Sequence, residues 1–212
     1  FHAVGIFRPH IPWYAPKKYF DLYPEKEVFL PPVRDNDLED VPPAGHRSLR
    51  KSWHRWIKEN DEWRPAVRGY LASISFADAQ VGRLLDALDA SPNSKNTIVV
   101  LWSDHGYHHG EKGDWGKHTL WERTSNVPFV WAGPGVAKGA TSDVTVSLID
   151  MYPTFVELCD LPKTPHSLEG TSIAATLADP NNAKDREVYL PHMFPESFAI
   201  MNMEWRYIRY KD

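Results

Sequence analysis

Thr97-Ile98-Val99-Val100-Leu101-Trp102-Ser103-Asp104-His105-Gly106 is the stretch on which the fold turns. Its first six residues are β-branched or apolar on both faces, the pattern of a strand covered on both sides of a sheet. The run then empties directly into serine, aspartate, histidine and glycine. Upstream, Val67, Tyr70, Leu71, Ile74, Val81, Leu84, Leu85 and Leu88 recur at helical spacing, while Arg68, Asp78 and Arg83 fall on other faces. Ser91-Pro92-Asn93 breaks that helix. A long helix followed by a buried strand is the mark of an α/β domain, so a covered, mixed sheet is expected. Ligands of such sheets sit just beyond the carboxyl ends of the strands. Residues 103–106 are therefore the first place to look for chemistry.

Working outward, residues 3–7 read as a short strand that Arg8-Pro9 ends, and 21–43 as a proline-rich, acidic surface excursion. A short helix is expected at 46–58, with Trp53, Trp56 and Ile57 on one side. Residues 127–132 make a second buried strand, closed by Gly133-Pro134-Gly135. The next helix, 147–158, should turn Leu148, Met151, Tyr152, Phe155 and Leu158 inward. Short antiparallel strands follow at 188–190, 198–201 and 206–210. We expect residues 1–180 to belong to the α/β domain and 181–212 to begin a small antiparallel subdomain.

Composition narrows the function classes. The 212 residues carry 24 Lys+Arg against 28 Asp+Glu, a formal charge of −4, which argues against a nucleic-acid binder. For that reason the alternation Trp205-Arg206-Tyr207-Ile208-Arg209-Tyr210 reads as a sheet strand rather than a basic patch. Charged residues at 25% argue against disorder. The longest apolar run, 97–102, is far too short to cross a membrane. Cys159 is the single cysteine, and beside Phe155 and Leu158 it reads as a core residue.

Three places carry chemistry-bearing side chains. Asp104, leaving the end of a strand, is a carboxylate on a rigid element and suits a metal ligand, although aspartate there also serves as a turn former. Lys117, within Gly113-Asp114-Trp115-Gly116-Lys117-His118, would bring a compact positive charge to an oxyanion. His10, between two prolines in Arg8-Pro9-His10-Ile11-Pro12, should sit on rigidly extended backbone and could donate to an oxyanion or protonate a leaving group. His105, His108, His109 and His118 invite a zinc reading, but the His-Glu-x-x-His pattern is absent and one cysteine is too few.

Taken in order, Ala3-Val4-Gly5-Ile6-Phe7-Arg8-Pro9-His10-Ile11-Pro12, the helix with Asp78-Ala79-Gln80-Val81-Gly82-Arg83-Leu84, the 97–106 run, Gly110-Glu111-Lys112-Gly113-Asp114-Trp115-Gly116-Lys117, Leu120-Trp121-Glu122 and Val127-Pro128-Phe129 resemble the type I sulfatases. These belong to the alkaline-phosphatase-like superfamily, and the closest likeness is to the iduronate-2-sulfatase-like branch. The resemblance covers essentially the whole chain. It implies that Asp104 and His105 are metal ligands for calcium, or magnesium, and that Lys117 and His10 contact the sulfate group. It leaves His108, His109 and Trp115 as candidate substrate contacts.

One departure matters. The family's nucleophile is a formylglycine made from Cys or Ser in Cys/Ser-x-Pro-x-Arg. Here Cys159-Asp160-Leu161-Pro162-Lys163 has proline misplaced and no arginine, and no serine fits. The acidic pair that supplies the other metal ligands is also missing. The chain, opening on Phe1, is thus expected to be the C-terminal portion of a sulfuric ester hydrolase acting on a sulfated sugar or other sulfated small molecule. The nucleophile would lie upstream, and the 212 residues alone would be inactive. Alternatives are a phosphate or phosphonate monoester hydrolase of the same superfamily, or a non-catalytic anion-binding module. The resemblance also implies a periplasmic, extracellular or lysosomal location.

Overall fold

A 27-residue helix, Trp63–Asp89, dominates the first half of the computed structural model, which describes residues 1–211. At 1.5 Å per residue it is about 40 Å long. Pro65 falls in its first turn, where no intrahelical N–H is missed. Two compact units are present. The first comprises Phe1–Asp40, Leu49–Ser94 and His108–Gly116, and the second comprises Val41–Ser48, Lys95–Tyr107 and Lys117–Asp212.

In the first unit, α1 (Lys17–Phe20) and α2 (Lys51–Glu59) precede the long helix α3 (Trp63–Asp89). The N-terminal half of α3 carries the core. Val67, Gly69, Ala72 and Ser73 are buried, and Trp13 lies so close that a Cβ on Gly69 would meet its Cβ at 3.3 Å. Tyr19 packs edge-on to Phe76, ring centroids 5.5 Å apart, and the Tyr23 and Ser75 hydroxyls are 2.7 Å apart. Arg68 donates to the Phe20 carbonyl at 3.1 Å, and Arg64 donates to that of Val28, itself buried. The expected apolar stripe is only half used: Ile74, Leu84 and Leu85 are exposed. On α2, Ile57 is buried but Trp53 and Trp56 face solvent.

Residues 3–7 form no strand and are mostly exposed, which corrects that expectation. Apolar alternation becomes a strand only where a neighbour completes its backbone hydrogen bonds, and no described segment pairs there. Nor is His10 on extended backbone. His10 N–H donates to the Phe7 carbonyl at 3.0 Å, closing a turn, and the Arg8–Pro9 and Ile11–Pro12 peptides are cis.

In the second unit β1 (Val99–Trp102) is followed by α4 (Glu122–Ser125) and β2 (Phe129–Ala132). The two strands pair antiparallel, with Val99 opposite Ala132 and Trp102 opposite Phe129. Among the described residues they form a two-stranded sheet, and Leu101 and Trp102 are 42% and 46% exposed, so β1 is not the covered central strand its composition suggests. Gly133, at φ +125°, closes the pair where a Cβ would lie 2.4 Å from the Thr97 carbonyl.

A 3₁₀ turn leads into α5 (Met151–Leu158), and Ser147 with Asp150 forms a capping box. Asp150 and Thr154 are the buried residues here, while Tyr152 is exposed. Cys159 is exposed just past the end of α5, correcting its reading as core: the chain turns its Asp150–Thr154 edge inward and the residue that caps the helix outward. After α6 (Ala174–Ala178), strands β3 (Val188–Pro191), β4 (Phe198–Met201) and β5 (Arg206–Arg209) form an antiparallel sheet in the order β3-β4-β5, as expected. Among the described residues no helix is long and apolar enough to cross a membrane.

Candidate active site

Immediately after β1 the chain makes a turn tied to the segment before β2. Ser103 N–H donates to the Pro128 carbonyl at 3.3 Å, and Gly106 N–H to that of Thr124 at 2.9 Å. The Ser103 hydroxyl donates to the His105 carbonyl at 2.9 Å. Only glycine fits at 106, because a Cβ would stand 2.0 Å from the Arg123 carbonyl oxygen. Backbone cannot swing aside as a side chain does, so Gly106→Ala should lower stability by about 2–3 kcal/mol. A shift of the denaturation midpoint worth less than about 1 kcal/mol would show instead that the 123–128 segment yields freely.

This turn presents Asp104, 77% exposed along its side chain, beside the half-buried His105, with Oδ2 and Nε2 3.7 Å apart. His105 Nδ1 is 2.8 Å from the Gly106 carbonyl, which can only accept, so Nδ1 carries the proton. Nε2 is left as the acceptor, and Lys117 Nζ lies 2.8 Å from it. The fold thus brings together Asp104, His105 and Lys117, residues from two loops.

Two of the three can also serve a divalent cation. An imidazole whose Nδ1–H is held by a backbone carbonyl, leaving Nε2 as the acceptor, is the arrangement a metal-bound histidine requires. The 3.7 Å spacing suits two donors to one ion with bonds of about 2.3 Å. Lys117 would have to leave Nε2 for the ion to bind there. Asp104 and His105 therefore fit as part of a shell, and among the described residues no three His, Cys, Asp or Glu gather to complete one.

His10 belongs to the first unit. Its Nδ1 donates to the Ile11 carbonyl at 2.7 Å, again fixing the tautomer, and its ring lies 4.8 Å from that of Phe7. Arg8 steadies the turn through the carbonyls of His10, at 3.2 Å, and Tyr14, at 2.8 Å.

The remaining sequence candidates lie in the loop His108–Gly116 of the same unit. His108 and Trp115 are each 1% exposed, and His109 is half-buried among Tyr70, Trp13 and Trp115, with ring centroids 4.1, 5.9 and 5.6 Å away. The loop is anchored at several points. Trp63 Nε1–H donates to the His109 carbonyl at 2.8 Å, Arg50 N–H to Asp114 Oδ1 at 2.6 Å, and Lys112 Nζ to Asp37 Oδ1 at 2.8 Å. Gly110 takes φ +117° where a Cβ would strike the Trp63 ring at 2.4 Å.

Trp115 Nε1–H donates to His54 Nδ1 at 3.1 Å, so that nitrogen must be bare. Burial first, and the Lys58 charge second, hold the His54 pKa below 6.5. The unfolded chain then takes up the proton first, so this stabilisation is present above pH 6.5 and is lost as pH falls toward the folded value. In urea titrations at pH 7.5 and 5, His54→Gln should flatten part of that fall; identical pH dependence in both proteins would remove His54 as its source.

Sequence reasoning did not find His54, Trp63 and Arg50 as the partners of this loop, nor Arg206 and His192, which reach the segment after Lys117. None carries a local signal, since each contact joins residues tens of positions apart.

Comparison with known proteins supplies the family. The sulfatase family model matches residues 3–161. A sulfatase of Formosa agariphila is 40% identical over 216 residues, covering 100% of this chain and 42% of the relative. Human iduronate 2-sulfatase is 35% identical over 148 residues, covering 64% of this chain and 26% of its own. The solved phosphonate monoester hydrolase of Silicibacter pomeroyi shares the fold at a TM-score of 0.76 and 21% identity, over 96% of this chain and 46% of its own. The chain thus spans less than half the length of these proteins. With the family model matching most of the chain, and a relative so similar across all of it, the chain belongs to the sulfatase family.

Proposed function

We propose that these residues form the anion-binding part, and part of the metal shell, of an enzyme that hydrolyses sulfate esters, with sulfated sugars as the substrate class. The observation that carries this is the Asp104–His105–Lys117 cluster on the turn after β1, in a chain of the sulfatase family. Lys117 supplies an ammonium to the sulfuryl oxygens. A positive charge fixed where negative charge develops is worth most in transition-state stabilisation. Asp104 and His105 would hold a divalent cation, which when bound adds positive charge at the same group. His10, its Nδ1–H donated to the Ile11 carbonyl, is assigned to the sulfate group or the leaving oxygen on the strength of the family likeness, as a donor.

Nucleophilic attack is assigned to a formylglycine in sequence outside these 212 residues. The choice of a sugar follows the likeness to iduronate 2-sulfatase. His108 and Trp115, being buried, would act on a substrate only through the residues that cover them, and His109, half-buried, is the most accessible of the three.

The test compares an aryl sulfate with an aryl phosphate as substrates of the full-length protein. Faster sulfate turnover is expected. Faster phosphate turnover would move the protein to the phosphoryl hydrolases of the superfamily. Binding of inorganic sulfate without turnover of either would make it a binding module.

A further inference from the structure

The geometry points to Arg206, assisted by His192, as a positioning residue that holds Lys117 and the Asp104–Gly106 turn in register from the C-terminal sheet. The inference rests on the sulfatase reading of Lys117.

Arg206 opens β5 opposite Met201 of β4, on the sheet face that also carries the buried Val188 and Ala199. Its Nη1 donates to the Leu120 carbonyl at 2.9 Å and lies 2.8 Å from the Ser125 hydroxyl, while Nη2 pairs with the Glu122 carboxylate. One planar guanidinium thus grips three points on a six-residue segment, a task for which a lysine is the wrong shape. The Glu122 side chain is 61% exposed, so that ion pair alone contributes little. Leu120, whose carbonyl is held, is fully buried.

The gripped segment is itself tightly bonded. The Thr124 hydroxyl donates to the carbonyl of Thr119 or Trp121, each 3.0 Å away, and lies 3.0 Å from the Thr119 hydroxyl. From this knot two short paths lead to the site. Lys117 stands two residues before Thr119. Thr124 offers its carbonyl to Gly106 N–H, one residue after His105.

His192 adds a third tie. Its Nδ1 accepts from Phe194 N–H at 3.1 Å, and its Nε2–H donates to the carbonyl of His118, the residue after Lys117, at 3.0 Å. The small sheet is therefore more than a cover. It fixes both ends of the cluster that binds the anion.

The test uses the full-length enzyme with Arg206→Met, Lys117→Ala and the double variant, assayed on an aryl sulfate. Amide hydrogen exchange is read at Gly106 and across 117–125. Arg206→Met should lower kcat/KM roughly 10–100-fold, as displacement of a catalytic cation does. Exchange at Gly106 and at 119–125 should speed up. In the Lys117→Ala background the same substitution should cost clearly less than in the wild type, because one of the two paths through which it acts is then gone. Arg206→Lys should recover part of the loss. Equal losses in both backgrounds would overturn the proposal, whatever the exchange shows.

If the wild-type protein turns over no sulfate ester, the sulfatase reading fails on its own account. The exchange data still judge the grip, and unchanged protection in Arg206→Met rejects it. Should Arg206→Met not fold, Ser125→Ala removes one of the three points. It should then give a smaller loss that likewise shrinks without Lys117, and a loss equal in both backgrounds overturns the proposal.

Discussion

Lys117→Ala in the full-length enzyme should lower kcat/KM toward sulfate esters roughly 100–1,000-fold, the scale on which removing one preorganised oxyanion donor acts. The ammonium is half-buried and stands 2.8 Å from His105 Nε2, a position from which it can turn to an anion once a cation takes the imidazole. Inorganic sulfate should lose inhibitory strength in step, since product and transition state share the group that Lys117 is proposed to contact. The unfolding midpoint should move little, because the ammonium supports binding rather than the core. Lys117→Arg keeps the charge but replaces a compact donor with a planar fork, and should restore only part of the rate. Activity within about threefold of wild type would take Lys117 out of the anion site.

The largest stability effect is expected at Asp150. Its carboxylate is 1% exposed and accepts from Ser147 N–H at 2.7 Å and Thr171 N–H at 2.9 Å, besides pairing with Arg186. Asp150→Ala leaves two backbone donors without their acceptor and a cation without its partner. The expected loss is roughly 3–4 kcal/mol, below the top of the range for a broken buried pair because the Arg186 side chain is 29% exposed and regains water. Asp150→Asn keeps one acceptor oxygen and should lose less. Denaturant titration of the two variants gives the comparison, and equal losses would mean that the charge, rather than the hydrogen bonds, carries the effect.

How much of this was legible depended on distance along the chain. Local patterns were read correctly: the α3 periodicity, the strand ending at Ser103-Asp104-His105-Gly106, the glycines closing β2, and the three C-terminal strands. Patterns that need a partner to complete them were not. Residues 3–7 alternate like a strand yet find no neighbour, and Leu84 and Leu85 carry a helical stripe that the described residues leave exposed. Cys159 looked apolar by its neighbours and lies at the surface, because helix phase and not adjacency decides burial.

Within the site, Asp104, His105 and Lys117 stood out by residue type, and the structure adds which atoms meet. The grip of Arg206 had no such signal. Alternation of arginine with aromatics announces a strand, but not that its first arginine reaches a carbonyl 86 residues upstream.

Neither unit is a continuous stretch of chain: the first is finished only by residues 108–116, after the second has already contributed 41–48 and 95–107. On the ribosome this sets an order of events. Domains normally fold as they emerge, N-terminal first. Here the helix α3 and its neighbours must wait, with Trp13, Trp63 and Tyr70 lacking the aromatic and backbone partners that His109 and Trp115 provide, until the loop carrying those residues has left the exit tunnel. A slow stretch of translation that comes before this loop has emerged would lengthen the life of that half-built nascent chain, and one that comes after its emergence would not.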